Sequence, residues 1–200
     1  MENKVCCFIG HRKIAKSSEL REKILNTIEN LIVNENVNSF FFGSKSEFDD
    51  YCYEIVTELK EKYPHITRVY VRSAFQHIPD WYEDSLLEHY EDTYFPEHMS
   101  KTGKASYVER NQEMINKSDF CVFFYDENYL PPRRKNSRKD LFDYQPKSGT
   151  GVAYEYATKK KDKQVLNVFM GQKWQILRDL FTYKYFYGII FIEVLPYEKR

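Results

Sequence analysis

Val5-Cys6-Cys7-Phe8-Ile9-Gly10-His11-Arg12 is the stretch from which the fold can be read. Five uninterrupted apolar residues suit a strand buried on both faces, and Gly10 followed by two polar residues ends it. Ser17-Ser18 then precede Leu20, Ile24, Ile28, Leu31 and Ile32, whose spacing predicts a helix with one apolar face and a serine cap. This β-turn-α unit recurs. Ser39 to Phe42 forms a second apolar run ending at Gly43-Ser44, and Phe48, Cys52, Ile55, Val56 and Leu59 continue at helical spacing until Tyr63-Pro64. Ile66 to Val71 predicts a third strand. Phe120 to Tyr125 predicts a buried strand after the helical segment Tyr107 to Lys117, and Val165 to Phe169 another after a helix that begins near Gly151. Alternation of this kind predicts the α/β class: a single Rossmann-like domain spanning residues 1–200, with a mainly parallel sheet flanked by helices on both faces. Ligands of such sheets bind at the carboxyl ends of the strands, so the loops after Ile9, Phe42, Val71 and Tyr125 are expected to share one rim.

Two segments interrupt the alternation. Residues 78–100 are crowded with Tyr, Glu, Asp and His, and read as a polar helix followed by an irregular Tyr94-Phe95-Pro96 stretch, in the place of a lid over the rim. Trp81, within it, is a candidate platform for a stacked base. Residues 126–147 contain Pro131-Pro132, Arg133-Arg134-Lys135 and Arg138-Lys139, and read either as a solvated basic loop or as a source of cations beside a bound phosphate. At the C-terminus, Trp174 to Leu180 predicts a helix and Tyr187 to Val194 a last strand at a sheet edge or an oligomer contact.

Composition narrows the function classes. Thirty Lys and Arg balance thirty Asp and Glu, so no global basic field draws the chain to nucleic acid, and nucleic acid is not expected as a partner. Cys6, Cys7, Cys52 and Cys121 show no CxxC pair, and three of them lie inside apolar runs, as they would in a reducing compartment. Met1 to Lys4 leads directly into the first strand without the build of a signal peptide, and no apolar run approaches the length of a membrane span. The expectation is a cytoplasmic protein without membrane contact. His11, His65, His77, His89 and His98 show neither HxH nor HExxH spacing, so neither a metal site nor another cofactor is expected.

Ser148-Gly149-Thr150-Gly151 carries the main site expectation, because a loop of small residues opening a helix leaves backbone N–H groups free to hold an anion. The same residues also suit a plain serine cap with a glycine turn. Arg110 and Asn111 are read near the N-terminal end of their helix, where a guanidinium and the helix dipole would add at an anion. Ordinary solvent exposure is the competing reading for Arg110. His11 and Arg12 follow the first strand and are candidates for ligand contact, with Gly10, Gly43 and Ser44 forming the adjoining backbone. Asp49 and Asp50 are read as caps of their helix rather than as catalysts.

Arg110-Asn111, Met114, Ser118-Asp119, the strand Phe120 to Tyr125, Ser148-Gly149-Thr150, Ala157 and Val165-Leu166-Asn167 resemble, in their order, the motifs of the SLOG superfamily, which groups YpsA-like proteins with LOG and DprA-like Rossmann domains. Phe8-Ile9-Gly10-His11-Arg12 and the segment from Gly43 to Pro64 are similar to the bacterial YpsA-like branch. The resemblance covers about Val5 to Asn167, and implies a Rossmann-like nucleotide-binding fold. The LOG branch hydrolyses the N-glycosidic bond of nucleoside monophosphates through a Pro-Gly-Gly-x-Gly-Thr-x-x-Glu motif. Pro146-Lys147-Ser148-Gly149-Thr150 has fewer glycines, and Glu155 does not fall at that spacing. Three functions follow. The first is binding of a nucleotide or nucleotide-sugar by Ser148 to Gly151 with help from Arg110, as in a sensor. The second is hydrolysis of nucleoside monophosphates or NAD-like nucleotides, with Glu155 and Arg110 as catalytic groups. The third is a DprA-like nucleic-acid module resting on the basic loop. A homodimer is the assembly that folds of this kind commonly adopt.

Overall fold

Ser17 opens the first helix as its spacing requires: its hydroxyl accepts from the Leu20 N–H at 3.2 Å, and helix α1 (Ser18–Glu35) follows strand β1 (Lys4–Gly10). Leu20, Ile24, Ile28, Leu31 and Ile32 are its buried stripe. Asn36 ends α1 in the left-handed conformation at φ 59°, a geometry asparagine tolerates better than most residues, and turns the chain into β2 (Val37–Phe42). Ser46 caps α2 (Glu47–Lys62) in the same manner, accepting from the Asp49 N–H at 3.1 Å. β3 (Thr67–Val71), α3 (Asp80–Leu87), β4 (Asp92–Tyr94), α4 (Lys104–Lys117), β5 (Phe120–Phe124), α5 (Gly149–Thr158) and β6 (Gln164–Asn167) complete the order. This computed structural model describes residues 3–43, 46–131 and 147–171. Its two compact units are Met1–Phe169, which holds all of these elements, and Met170–Arg200. The predicted segments 174–180 and 187–194, most of the basic loop, and Ser44 lie outside the described residues.

The six strands form one all-parallel sheet in the order β4-β3-β2-β1-β5-β6. The Rossmann-like α/β class expected from the alternation is the class observed. Alternate side chains go to opposite faces. Cys7, Ile9, Phe41, Cys121 and Phe123 meet Met114 and Ile115 of α4 and Ala153 and Ala157 of α5 in one core, while α1 and α2 pack together against β1 and β2 on the other face. Cys6, Phe8, Phe40, Phe42, Phe120 and Val122 are buried from the strands as well, which explains why their runs read as uninterrupted rather than alternating. Of the Ser118-Asp119 pair, Ser118 closes α4 by donating to Met114 O at 2.7 Å, and Asp119 serves the sheet. Asp119 accepts the Val5 N–H through its carboxylate at 2.8 Å and donates its own N–H to Val5 O at 2.8 Å, fixing β5 against β1.

One correction concerns residues 78–100. The polar helix is present as α3, but Asp92 to Tyr94, where no strand was expected, pairs in parallel with β3 and forms the sheet edge; of the expected irregular stretch Tyr94-Phe95-Pro96, only Tyr94 belongs to it. Thr93 is the buried residue of that strand, and its hydroxyl donates to Tyr70 O at 2.9 Å. No helix among the described residues is long and apolar enough to cross a membrane. All four cysteines are free and buried, and burial holds the Cys6, Cys7 and Cys52 thiols well above their ordinary pKa, so they pack as small hydrophobes.

Candidate functional site

The sheet order reverses direction at β1, whose neighbours are β2 on one side and β5 on the other. Loops leaving the carboxyl ends of β1 and β5 diverge to opposite faces there, which opens the crevice where α/β proteins bind ligands. His11 stands at that point. Its backbone N–H donates to Phe124 O at 3.3 Å, and its ring accepts the Asp126 N–H at Nε2, 2.9 Å away. An acceptor at Nε2 leaves the ring proton on Nδ1, which is buried and has no partner among the described residues. The ring is 2% exposed, and this burial lowers its pKa against the opposing pull of Asp126, so His11 is a neutral donor at neutral pH.

Aromatic rings surround it. Tyr129 stacks on the imidazole with centroids 4.0 Å apart and planes inclined by 26°, and Tyr125 lies 6.0 Å away. A turn holds Tyr129 in place: its N–H donates to Asp126 O at 3.2 Å, while the Asp126 carboxylate accepts the Asn128 N–H at 2.9 Å. Tyr125 in turn stacks on Tyr154 of α5 at 4.5 Å, and both its backbone groups bond the Asn167 side chain, the N–H at 3.1 Å and the carbonyl at 2.9 Å.

The first turn of α5 completes this side of the rim. Ser148 is its cap, accepting the Gly151 N–H at 3.0 Å. The cap and the anion cradle were alternative readings; the cap is present and uses one donor, while the N–H groups of Gly149 and Thr150 have no partner among the described residues. A Cβ at Gly149 would meet nothing within 4 Å, whereas Thr150 is buried. Gly151 lies against the Tyr125 ring, where an added Cβ would sit 3.4 Å from Cε2. His11, Tyr125, Tyr129 and Ser148 to Gly151 therefore form one group.

Arg110 does not join it as expected. The expectation put it near the N-terminal end of its helix, but α4 starts at Lys104 after Gly103 at φ 63°, so Arg110 lies nearly two turns inside. The dipole argument fails for that reason. Helical side chains lean toward the N-terminus, and the guanidinium, 2% exposed, reaches back to donate to Gly43 O at the end of β2 and to Asn111 Oδ1 at 2.9 Å. Asp49, 3% exposed, accepts the Gly43 N–H at 3.3 Å, so Gly43 is held from both sides by opposite charges. Burial lowers the Arg110 pKa, with Asp49 the first of the charges opposing it. Asp49 thus lies inside the helix cap formed by Ser46 and serves the loop rather than the helix end. A Cβ at Gly43 would sit 2.6 Å from Val71 O, and one at Gly10 would overlap the Phe48 ring; both glycines permit close packing rather than ligand approach.

The other predicted residues disperse. Arg12 is exposed, and its carbonyl accepts the Glu47 N–H at 3.0 Å. Glu155 pairs with Lys147, which holds its carboxylate below the ordinary glutamate pKa, and it lies about 9 Å along α5 from Gly149 at 1.5 Å rise per residue. Trp81 sits 71% exposed on α3 with its ring 5.7 Å from that of Tyr82, and neither contacts the His11 group. An open depression of about 590 Å³ along α1, lined in part by Glu19, Lys23, Asn30 and Leu166, holds none of the predicted residues.

The ordered motifs now lie on one parallel sheet, and the family model for YpsA, described as the YspA SLOG family, matches residues 7–164. The chain belongs to this SLOG family. A search of curated proteins gives no match. Among solved structures, this YpsA-family chain is similar to DNA processing protein A from Helicobacter pylori, in a study of its single-stranded DNA binding mode, with 14% identity and a TM-score of 0.45 over 88% of this chain and 81% of that one. At that distance nothing of that protein's binding carries over to the YpsA-family site.

Tyr125, Asp126, Tyr129 and Asn167 were not singled out as site residues in the sequence. Their signal was the aromatic-acidic ending of β5, Tyr125-Asp126, but its meaning depends on His11, more than a hundred residues away.

Proposed function

We propose that this protein binds a nucleotide or nucleotide-sugar at the crevice between β1 and β5, with a phosphate on the first turn of α5, in a cytoplasmic setting. One observation carries the reading: the N–H groups of Gly149 and Thr150, without a partner among the described residues, share through Tyr125 one side of the rim with a buried, neutral His11 whose Nδ1–H is likewise unpartnered there. A helix N-terminus favours an anion through its dipole and its free N–H groups. The rings of Tyr125 and Tyr129 supply apolar faces of the kind on which a base stacks. Membership of the SLOG family supports a nucleotide-related ligand, and four free, buried cysteines support the compartment. Arg110 acts in this reading through Gly43 and the shape of the rim. Binding needs no bond to break, and the Lys147-paired Glu155 has no part in it.

Isothermal titration against AMP, ADP-ribose, NAD and cyclic nucleotides tests the proposal. At least one phosphate-bearing ligand is expected to bind the parent, and Gly149→Glu, which puts a carboxylate where the phosphate would sit, is expected to weaken it at least ~30-fold, or about 2 kcal/mol. Absence of binding by all of them, or equal binding by the variant, would overturn the reading.

A further inference from the structure

Helix α3 (Asp80–Leu87) buries none of its eight residues. Isolated helices of that length are marginal in water, and in proteins they persist by packing an apolar face. Ile78 and Leu86 are half-buried, but four other apolar residues of α3 and the loop before it face solvent: Phe75 is 79% exposed, Trp81 71%, Leu87 46% and Tyr82 36%. Phe75 also holds φ at 62°, a left-handed conformation that costs a non-glycine residue about 1 kcal/mol or more. Single exposed apolar residues are ordinary, but four of them within thirteen positions, two as adjacent rings 5.7 Å apart, make this an exposed apolar stretch.

Carboxylates dominate this stretch, although the Arg72 guanidinium at its start donates to Gln76 O at 3.4 Å. Residues 73–100 contain seven carboxylates, those of Asp80, Glu83, Asp84, Glu88, Glu91, Asp92 and Glu97, and neither lysine nor arginine. Glu91 is committed to Arg68 and Lys60. On α3 itself Asp80 and Asp84 are exposed, with Glu83 half-buried between them and Glu88 exposed at its end. The chain as a whole is neutral, so this sign is local rather than general.

Three kinds of occupant could cover exposed rings, and charge separates them. A nucleic acid would bring phosphates against carboxylates. A second copy meeting the same face across a two-fold axis would set α3 carboxylates against their own equivalents. A polypeptide carrying Lys or Arg among apolar residues satisfies both features, because its cations pair with the carboxylates and its guanidinium groups stack on Trp81 and Tyr82. We infer that the α3 face is a docking surface for a basic, apolar segment of a partner protein. Trp81 is the anchor, as large rings at the centre of an interface commonly are.

The test uses the full chain and a labelled synthetic sixteen-residue peptide with leucines on one helical face and Lys and Arg on the other, against a copy with Glu in place of every Lys and Arg. Fluorescence anisotropy is expected to show saturable binding of the basic peptide alone. Trp81→Ala is expected to weaken it at least ten-fold, and Asp80→Asn/Glu83→Gln/Asp84→Asn/Glu88→Gln by a similar factor, with thermal melts unchanged because these residues support no core. No binding of the basic peptide, equal binding of the acidic one, or binding indifferent to Trp81→Ala would overturn the inference. So would sedimentation showing a dimer that Trp81→Ala dissolves, which makes a second copy the occupant, or single-stranded oligonucleotide binding that the same substitution removes.

Discussion

The carboxyl rim of the sheet is finished differently on its two sides. At the end of β2, Gly43 is held by Asp49 on its N–H and by Arg110 on its carbonyl, and both charged groups are buried. At the ends of β1 and β5, the backbone donors of Gly149 and Thr150 and the Nδ1–H of His11 have no partner among the described residues. Opposite charges that grip the two backbone groups of one residue hold a loop in shape. Donors left over in a crevice are what a ligand can use. Arg110 thus belongs to the scaffold, and the groups left unpartnered on the other side are neutral dipoles.

The largest effect that would break this division is expected from Arg110→Met. Losing a hydrogen bond from a buried charged group commonly costs about 1–3 kcal/mol, and here it strips the donor from Gly43 O and removes the charge that opposes the buried Asp49 carboxylate. Urea unfolding should show a loss of that order; a loss below about 1 kcal/mol would mean that Arg110 does not hold the rim. Gly149→Glu should behave in the opposite way. Its carboxylate sits in the first turn of α5, where the helix dipole favours it by about 0.3–1 kcal/mol, so stability holds or rises while ligand binding is lost. A fall in the melting temperature with binding intact would reverse the roles assigned to the two sides.

The smallest effect concerns pH. Folded His11 binds its proton more weakly than an unfolded imidazole, whose pKa is about 6.5, so the unfolded chain takes up more protons between the lowered folded pKa and about 6.5. Stability should therefore rise with pH through that window and fall on acidification from pH ~7.5 to ~5.5, by about 1 kcal/mol or less. His11→Gln should flatten that slope in denaturant titrations at the two pH values. An unchanged slope would show that His11 is not the group responsible.

The sheet was largely legible because each buried strand reads as an apolar run closed by its own turn: Cys6 to Ile9, Phe40 to Phe42 and Phe120 to Phe124 need no distant partner to be recognised. β4 was not, since Asp92-Thr93-Tyr94 has one buried residue and gains strand identity from β3 alone. The start of α4 was equally hidden. Gly103 caps it without a side-chain hydrogen bond, so no Ser, Thr, Asp or Asn marked the boundary, and Arg110 was placed too near the end. Ser148 as a cap was readable from local chemistry. The pairs Arg110 with Gly43 and His11 with Tyr129 were not, because they join residues that only the sheet order makes neighbours.

Asn167 has a consequence for how this protein can vary. Its amide grips both backbone groups of Tyr125 from β6, while Ser148 fastens the far end of the following segment to α5 through its own cap. Beyond the Asp126 to Tyr129 turn, which holds and covers His11, the chain before Ser148 can be lengthened or shortened without pulling on either peg. Insertions there therefore cost the first turn of α5 little, and relatives can diverge in that stretch while keeping the same crevice.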